Sequence, residues 1–196
     1  MTTPDKIYTR LQNDFDCRLS VDQFLSILNV LEKRLAVDVV KRKIISEHTV
    51  PPELAMLDLG TSAEHVTKIF LDGVEIKEKS LSNLEGYTVD GTNIVFANPL
   101  EGGTLLIEQI YVPQDYDDIS MIERPLLLGE GYDEIYIYHI LSREALQNGN
   151  IDMVNNYSLL YAEALNALKA RMEEAKPVEE PRQESKDIQE KYKNIW

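Results

Sequence analysis

Asp-Gly occurs twice in the middle of this chain, each time inside a run rich in β-branched and aromatic residues: "HVTKIFLDGVEI" around Asp72-Gly73 and "GYTVDGTNIVFA" around Asp90-Gly91. A tight hairpin turn needs positive φ, which Asp tolerates and Gly adopts freely. The pair between alternating apolar residues is therefore a strong short-range hairpin signal. If Asp90 and Gly91 form a two-residue turn, Val89 faces Thr92 and Tyr87 faces Ile94. A four-residue loop instead sets Val89 beside Ile94 and Tyr87 beside Phe96. Both registers keep the same residues on one face. "NPLEGG" turns again, and "TLLIEQIYVP" supplies a strand apolar on both faces, as a central strand is. Together these predict a small antiparallel sheet from about Pro51 to Pro113. The two turns share no flanking sequence that would mark an internal duplication.

Helical patterns lie on both sides of that sheet. Thr3-Pro4 suits a helix start, and Ile7, Leu11 and Phe15 fall on one face. A second start follows at Ser20, with Gln23 completing a capping box. Phe24, Leu28, Leu31, Leu35 and Val39 then keep helical spacing, which predicts a long helix from about Val21 to Ser46. Lys41-Arg42-Lys43 would sit at its end, where the helix dipole favours cations. The prolines of "TVPPEL" stop it. Beyond the sheet, "EIYIYHIL" alternates as a strand does. It is assigned to a helix over about Tyr132 to Gln147, because "SREALQ" extends it and Asn148-Gly149 ends it. Asn150 caps a further helix with a stripe at Val154, Tyr157, Tyr161, Leu165, Leu168 and Met172, and so short a turn makes the two an antiparallel hairpin.

The expected fold is α+β: a helical body (long N-terminal helix plus C-terminal antiparallel helical hairpin), an inserted small antiparallel β-sheet, and an extended C-terminal tail. The divisions are 1–50 for the N-terminal helices, 51–113 for the β-rich insertion, 114–175 for an acidic loop and the hairpin, and 176–196 for the tail.

The net charge of −14 at pH 7 repels phosphate backbones and anionic lipid, which argues against sequence-specific nucleic-acid binding. One cysteine, Cys17, permits no internal disulfide, and the first residues lack the basic and apolar blocks of a signal peptide. No run of eighteen apolar residues is present, so a soluble protein of cytosolic origin without a membrane partner is expected.

No motif points to a reaction. His48, His65 and His139 have no metal-ligand spacing, and Asp115, Asp117 and Asp118 lack the glycine of a calcium loop. His139 is expected in a core or interface, and the three aspartates in a solvated loop. Cys17 has no activating neighbour, no G-x-S-x-G elbow occurs, and "GEGYDE" and "LEGG" match no phosphate-binding loop. Abundant carboxylates single out no acid–base pair. The expectation is a non-enzyme with no catalytic, metal or cofactor site and no cofactor.

Tyrosine use points to contacts instead. Five of the ten, Tyr132, Tyr136, Tyr138, Tyr157 and Tyr161, crowd into the C-terminal helical region. The Tyr132–Gln147 segment is apolar around most of its circumference, so it needs cover on several sides, and a neighbouring subunit is one candidate. The final stretch, "KPVEEPRQESKDIQEKYKNIW", is too polar to build a core. Its Ile188, Tyr192, Ile195 and Trp196 would give a helix one apolar edge, a candidate docking peptide. The candidate interface residues are therefore Tyr136, Tyr138, Ile140, Tyr157, Tyr161, Ile188, Tyr192, Ile195 and Trp196.

The order of elements, and above all "RPLLLGEGYDEIYIYHILSREALQNGNIDMVNNYSLLYAEALNALKARMEE", resembles the head-to-tail adaptor (connector, or neck) proteins of tailed bacteriophages. There an apolar lead-in and an aromatic helix precede a short Asn/Gly turn and an Ala/Leu-rich helix. "GYTVDGTNIVFANPLEGGTLLIEQIYVP" is similar to small sheets common in phage structural proteins. The similarity is one of pattern, without a diagnostic motif. It implies a virion structural protein of the neck, made in the host cytoplasm. Copies would form a homo-oligomeric ring, commonly of twelve, between the portal protein and a tail or nozzle protein. Genomic DNA would pass through the channel without sequence-specific binding, and the C-terminal segment would engage the portal. A tail-completion or tail-terminator ring protein is the alternative within that class, and a small glycan- or peptide-binding module the alternative outside it.

Overall fold

The computed structural model describes residues 2–80, 85–118 and 124–174. The first helix, α1, spans Pro4–Phe15 with Thr3 as N-cap, and buries Ile7 and Leu11 completely. It ends at Asp16, whose φ of +50° reverses the chain. The second, α2, spans Val21–Arg34. Its capping box is closed: Gln23 N–H donates to Ser20 Oγ and Ser20 N–H to Gln23 Oε1. Phe24, Leu28 and Leu31 form its fully buried stripe.

After Arg34 the backbone widens into a π-helical turn, Leu35–Val40, and stops at Lys41. Lys41 takes a φ of +49° while its N–H closes on Ala36 O at 2.8 Å. The expected long helix to Ser46 is thereby corrected. Lys43–Val50 forms strand β1, in which burial alternates with a period of two, Ile44, Ser46, His48 and Val50 being less exposed than their neighbours. The basic triplet does not serve a helix dipole. Lys41 makes the reversal, the Arg42 guanidinium lies 5.8 Å from the Tyr111 ring centroid, and Lys43 pairs with Glu108 at 2.8 Å.

The single small sheet is corrected as well. Among the described residues seven strands form two antiparallel sheets: β1 (Lys43–Val50), β2 (Leu54–Asp58), β3 (Val66–Leu71), β4 (Val74–Ile76), β5 (Tyr87–Asp90), β6 (Asn93–Leu100) and β7 (Gly103–Ile110). The four-stranded sheet has the order β1-β7-β3-β4, the three-stranded one β2-β6-β5. One apolar core lies between them, with Val50, Ile69, Leu105 and Ile107 from the first sheet and Tyr87, Ile94, Phe96 and Leu100 from the second. The β region is thus a two-layer sandwich with its own core, starting eight residues earlier than the expected boundary at 51.

The chain turns at or beside both Asp-Gly pairs, with positive φ at Asp72, Gly73 and Gly91. Leu71 pairs with Val74 across Asp72-Gly73. At the other, Asp90 pairs with Asn93, Val89 with Ile94 and Tyr87 with Phe96, so Gly91-Thr92 are the turn residues. Gly103 cannot be replaced freely, since a Cβ there would run into the Asp72 carboxylate.

The helical region is completed by α3 (Asp133–Gln147) and α4 (Ile151–Glu174). Asn150 caps α4, its Oδ1 accepting from Met153 N–H at 3.2 Å. The second helix runs back along the first: Ser142 meets Ser158, His139 meets Tyr161, and the Arg171 guanidinium lies over Tyr132. A separate apolar core joins α1, α2, α3, part of α4 and Leu126 and Leu128 of the lead-in. The segment 176–196, expected as an extended tail, lies outside the described residues.

Candidate interaction surfaces

Helix α3 is the inner element of the helical core. Ile135, Tyr136, Ile137 and Ile140 are at most 1% exposed. Its apolar circumference is covered by α1, α2, α4 and the lead-in Leu126 and Leu128, so it needs no neighbouring subunit. That corrects the reason for expecting an interface along it. Tyr136 and Ile140 are core residues; Tyr138, Tyr157 and Tyr161 are half-buried against the same core. The remaining candidates, Ile188, Tyr192, Ile195 and Trp196, lie outside the described residues.

A buried polar network fixes α3 to α2. The Glu32 side chain, on a residue only 2% exposed, accepts from Tyr136 Oη–H at 2.6 Å and from Leu127 N–H at 3.0 Å. Tyr136 Oη accepts from Leu128 N–H at 3.0 Å. Burial raises the Glu32 pKa, with the Tyr136 and Leu127 hydrogen bonds pulling the other way. Burial and the neighbouring Glu32 charge raise that of Tyr136. Beside this network Tyr116 is 2% exposed, its backbone exchanging hydrogen bonds with the Asn29 side chain and its ring stacked under Arg124. The loop expected to be solvated is therefore anchored by Tyr116, although Asp115, Asp117 and Asp118 around it are exposed. An acid held between the Leu127 N–H and a tyrosine hydroxyl joins elements, and neither of the two clefts described next is lined by Glu32 or Tyr136.

One cleft of about 440 Å³ lies where the α1–α2 connection meets the α3–α4 turn, lined by Phe15, Arg18, Leu141, Glu144, Met153 and Tyr157 among others. Glu144 Oε1 accepts from Arg18 N–H there at 2.6 Å. Cys17, buried nearby, has its thiol pKa pushed up to about 11, mainly by burial. A second cleft, about 870 Å³, separates the helical region from the sandwich and includes Lys33, His65, Gln109, Tyr111 and Arg124. His139 is 7% exposed with its ring 5.0 Å from that of Tyr161; burial first, then Arg143 and Arg34, push its pKa down to about 4.

The exposed apolar residues form the surfaces that the sequence reading missed. Leu146, Ile151 and Met153 flank the α3–α4 turn, and Leu159 lies on the outer side of α4. On the sandwich, Ile45 of β1, Met56 of β2 and Val74 at a turn are exposed. For α4 the signal was in the sequence: Leu159 falls opposite the Tyr157–Tyr161–Leu165–Leu168 stripe, and a leucine off-stripe has no core to enter. For β1 it was not, because that stretch read as helix.

Among the described residues no cluster of His, Cys, Asp and Glu could hold a metal ion, and no helix is long and apolar enough to cross a membrane. No protein-family description matches the chain, and no curated protein matches it in sequence.

Proposed function

We propose that this chain is a head-to-tail adaptor of a tailed bacteriophage, a virion structural protein whose copies form a ring between portal and tail. The apolar circumference of α3 lends this reading no support, because the chain itself covers it. The observation that carries it is the one-sided burial of α4. This helix has 24 residues, about 36 Å at 1.5 Å per residue, and Leu168 is its only fully buried side chain. Its outer side presents Leu159 with Ala162 and Ala170 among the polar Asn155, Glu163 and Asn166, a mixed surface with small residues on which a second helix could lie. Side-by-side packing of such helices is what a ring of copies needs.

Charge agrees with a channel role. At −14 per copy, a ring would carry a strongly negative lining or surface along which DNA slides without adhering. A glycan-binding platform finds less support, since two of the three strand aromatics, Tyr87 and Phe96, are buried between the sheets and Phe70 alone is half-buried. The test is the mass of the purified protein alone and mixed with a portal protein. Ring-sized particles in either condition support the reading; a strict monomer in both overturns it.

A further inference from the structure

Strand β1 is an edge strand. It pairs with β7 on one side, and among the described residues no strand pairs with its other side. The Tyr111 N–H bonds to Arg42 O, which sets the alternation: even-numbered residues of β1 turn their backbone groups toward β7, and Lys43, Ile45, Glu47 and Thr49 turn theirs outward. These same four residues are exposed, and Ile45 is 69% so. A free edge carrying an exposed branched apolar residue is a template for strand addition.

What sits opposite follows from the order of side chains along the edge. We propose that β1 pairs antiparallel with β1 of a second copy, about a two-fold axis at Ile45. In that register Ile45 meets its own counterpart, and each Lys43 meets the other copy's Glu47. Each Lys43 already touches Glu108 of its own chain, and at 55% side-chain exposure its ammonium can serve both carboxylates. Sliding the copies by two residues in either direction sets Ile45 against Lys43 or Glu47 and leaves no Lys–Glu pair within the strand. A slide by four toward Thr49 opposes Glu47 to Glu47. One register alone therefore satisfies charge, apolar cover and the outward hydrogen-bonding groups together, with about six backbone hydrogen bonds across the axis. The result is one eight-stranded sheet shared by two sandwiches.

This pairing does not rest on the adaptor reading. A two-fold contact cannot repeat around a ring whose copies all point one way, so it describes the protein free of such a ring or a contact between two rings. The test is disulfide cross-linking of the full chain. Ile45→Cys should form a covalent dimer under mild oxidation, whereas Thr49→Cys, whose counterparts lie far apart across the axis, should not. Cys17 is buried and does not compete. Adding Glu47→Lys to the Ile45→Cys chain should slow cross-linking about tenfold by opposing two lysines, whereas Glu47→Gln, which removes the attraction without adding repulsion, should slow it less. Equal cross-linking at positions 45 and 49, none at either, or indifference to the charge changes would overturn the proposal. The portal-mixing experiment is decided separately, because none of these substitutions touches α4.

Discussion

Tyr136 donates its hydroxyl proton to the Glu32 carboxylate at 2.6 Å, across 104 positions of the chain, and both residues are at most 2% exposed. The same carboxylate accepts from Leu127 N–H, and the same hydroxyl from Leu128 N–H. A single pair thus ties α2, α3 and the irregular 126–128 segment together. Glu32→Ala would leave the Leu127 N–H and the Tyr136 hydroxyl proton without acceptors, and should cost about 2–4 kcal/mol in urea unfolding. Tyr136→Phe should cost about 1–3 kcal/mol, and the double variant less than the sum. Glu32→Gln should not restore the site, because an amide NH2 would face groups that are themselves donors.

His139 gives the fold an acid sensitivity of definite sign. Its folded pKa, near 4, lies below the unfolded value of about 6.5, so the unfolded chain takes up the proton first. The stability it contributes is complete above pH 6.5 and lost as pH falls toward 4, by up to roughly 3 kcal/mol. Glu32 acts in the opposite sense, since a raised carboxyl pKa favours the folded state as pH falls toward the unfolded value. Comparing the chain with His139→Leu by urea unfolding at pH 7 and at pH 4.5 isolates the histidine. The wild type should lose stability relative to the variant on acidification.

Cys17 should be an inert thiol. With its pKa near 11 and its side chain buried, little thiolate exists at pH 8. Alkylation by iodoacetamide should be much slower than for a free cysteine in the folded protein and reach the free rate in urea. Rapid labelling of the native chain would contradict the burial of the α1–α2 connection.

Gly103 and Asp72 form a tight pair inside the four-stranded sheet. Gly103 has a φ of +131°, and Asp72 Oδ1 accepts from the adjoining Thr104 N–H at 2.9 Å. Gly103→Ala meets both backbone strain and the Asp72 carboxylate, and should lower stability by about 2 kcal/mol or more. In an Asp72→Ala background the clash is removed and only the backbone cost remains, so the same change should cost less. Thermal unfolding of the four chains measures the difference.

The local signals that were legible in the sequence are those closed within a few residues. The Ser20–Gln23 capping box, the Thr3 and Asn150 caps and the two Asp-Gly turns each need only near neighbours. The end of α2 was not legible, because Leu35 and Val39 continue a helical stripe into the π-helical turn while the reversal rests on Lys41, a residue with no special claim on positive φ. Misreading that point hid β1, and with it the free edge of the four-stranded sheet. Tyr136 and Ile140 were read as surplus surface for a similar reason: their cover comes from Leu126, Leu128 and α2, which lie far away in sequence and carry no pattern that announces the contact.

Leu159 separates assembly from folding on α4. It is 60% exposed and outside the seam with α3, so Leu159→Lys should change the stability of the isolated chain by no more than about 0.5 kcal/mol. If copies pack along this side of α4, a lysine at the centre of the contact places a charge against an apolar neighbour in every interface of a ring, and the penalty recurs at each one. The variant should therefore keep its circular dichroism spectrum and unfolding midpoint while ring-sized particles disappear, alone or on a portal template. Leu168→Ala is the complementary control: that side chain is 3% exposed, so its loss should lower stability by about 2–3 kcal/mol. A Leu159→Lys chain that assembles as the wild type does would remove α4 from the ring.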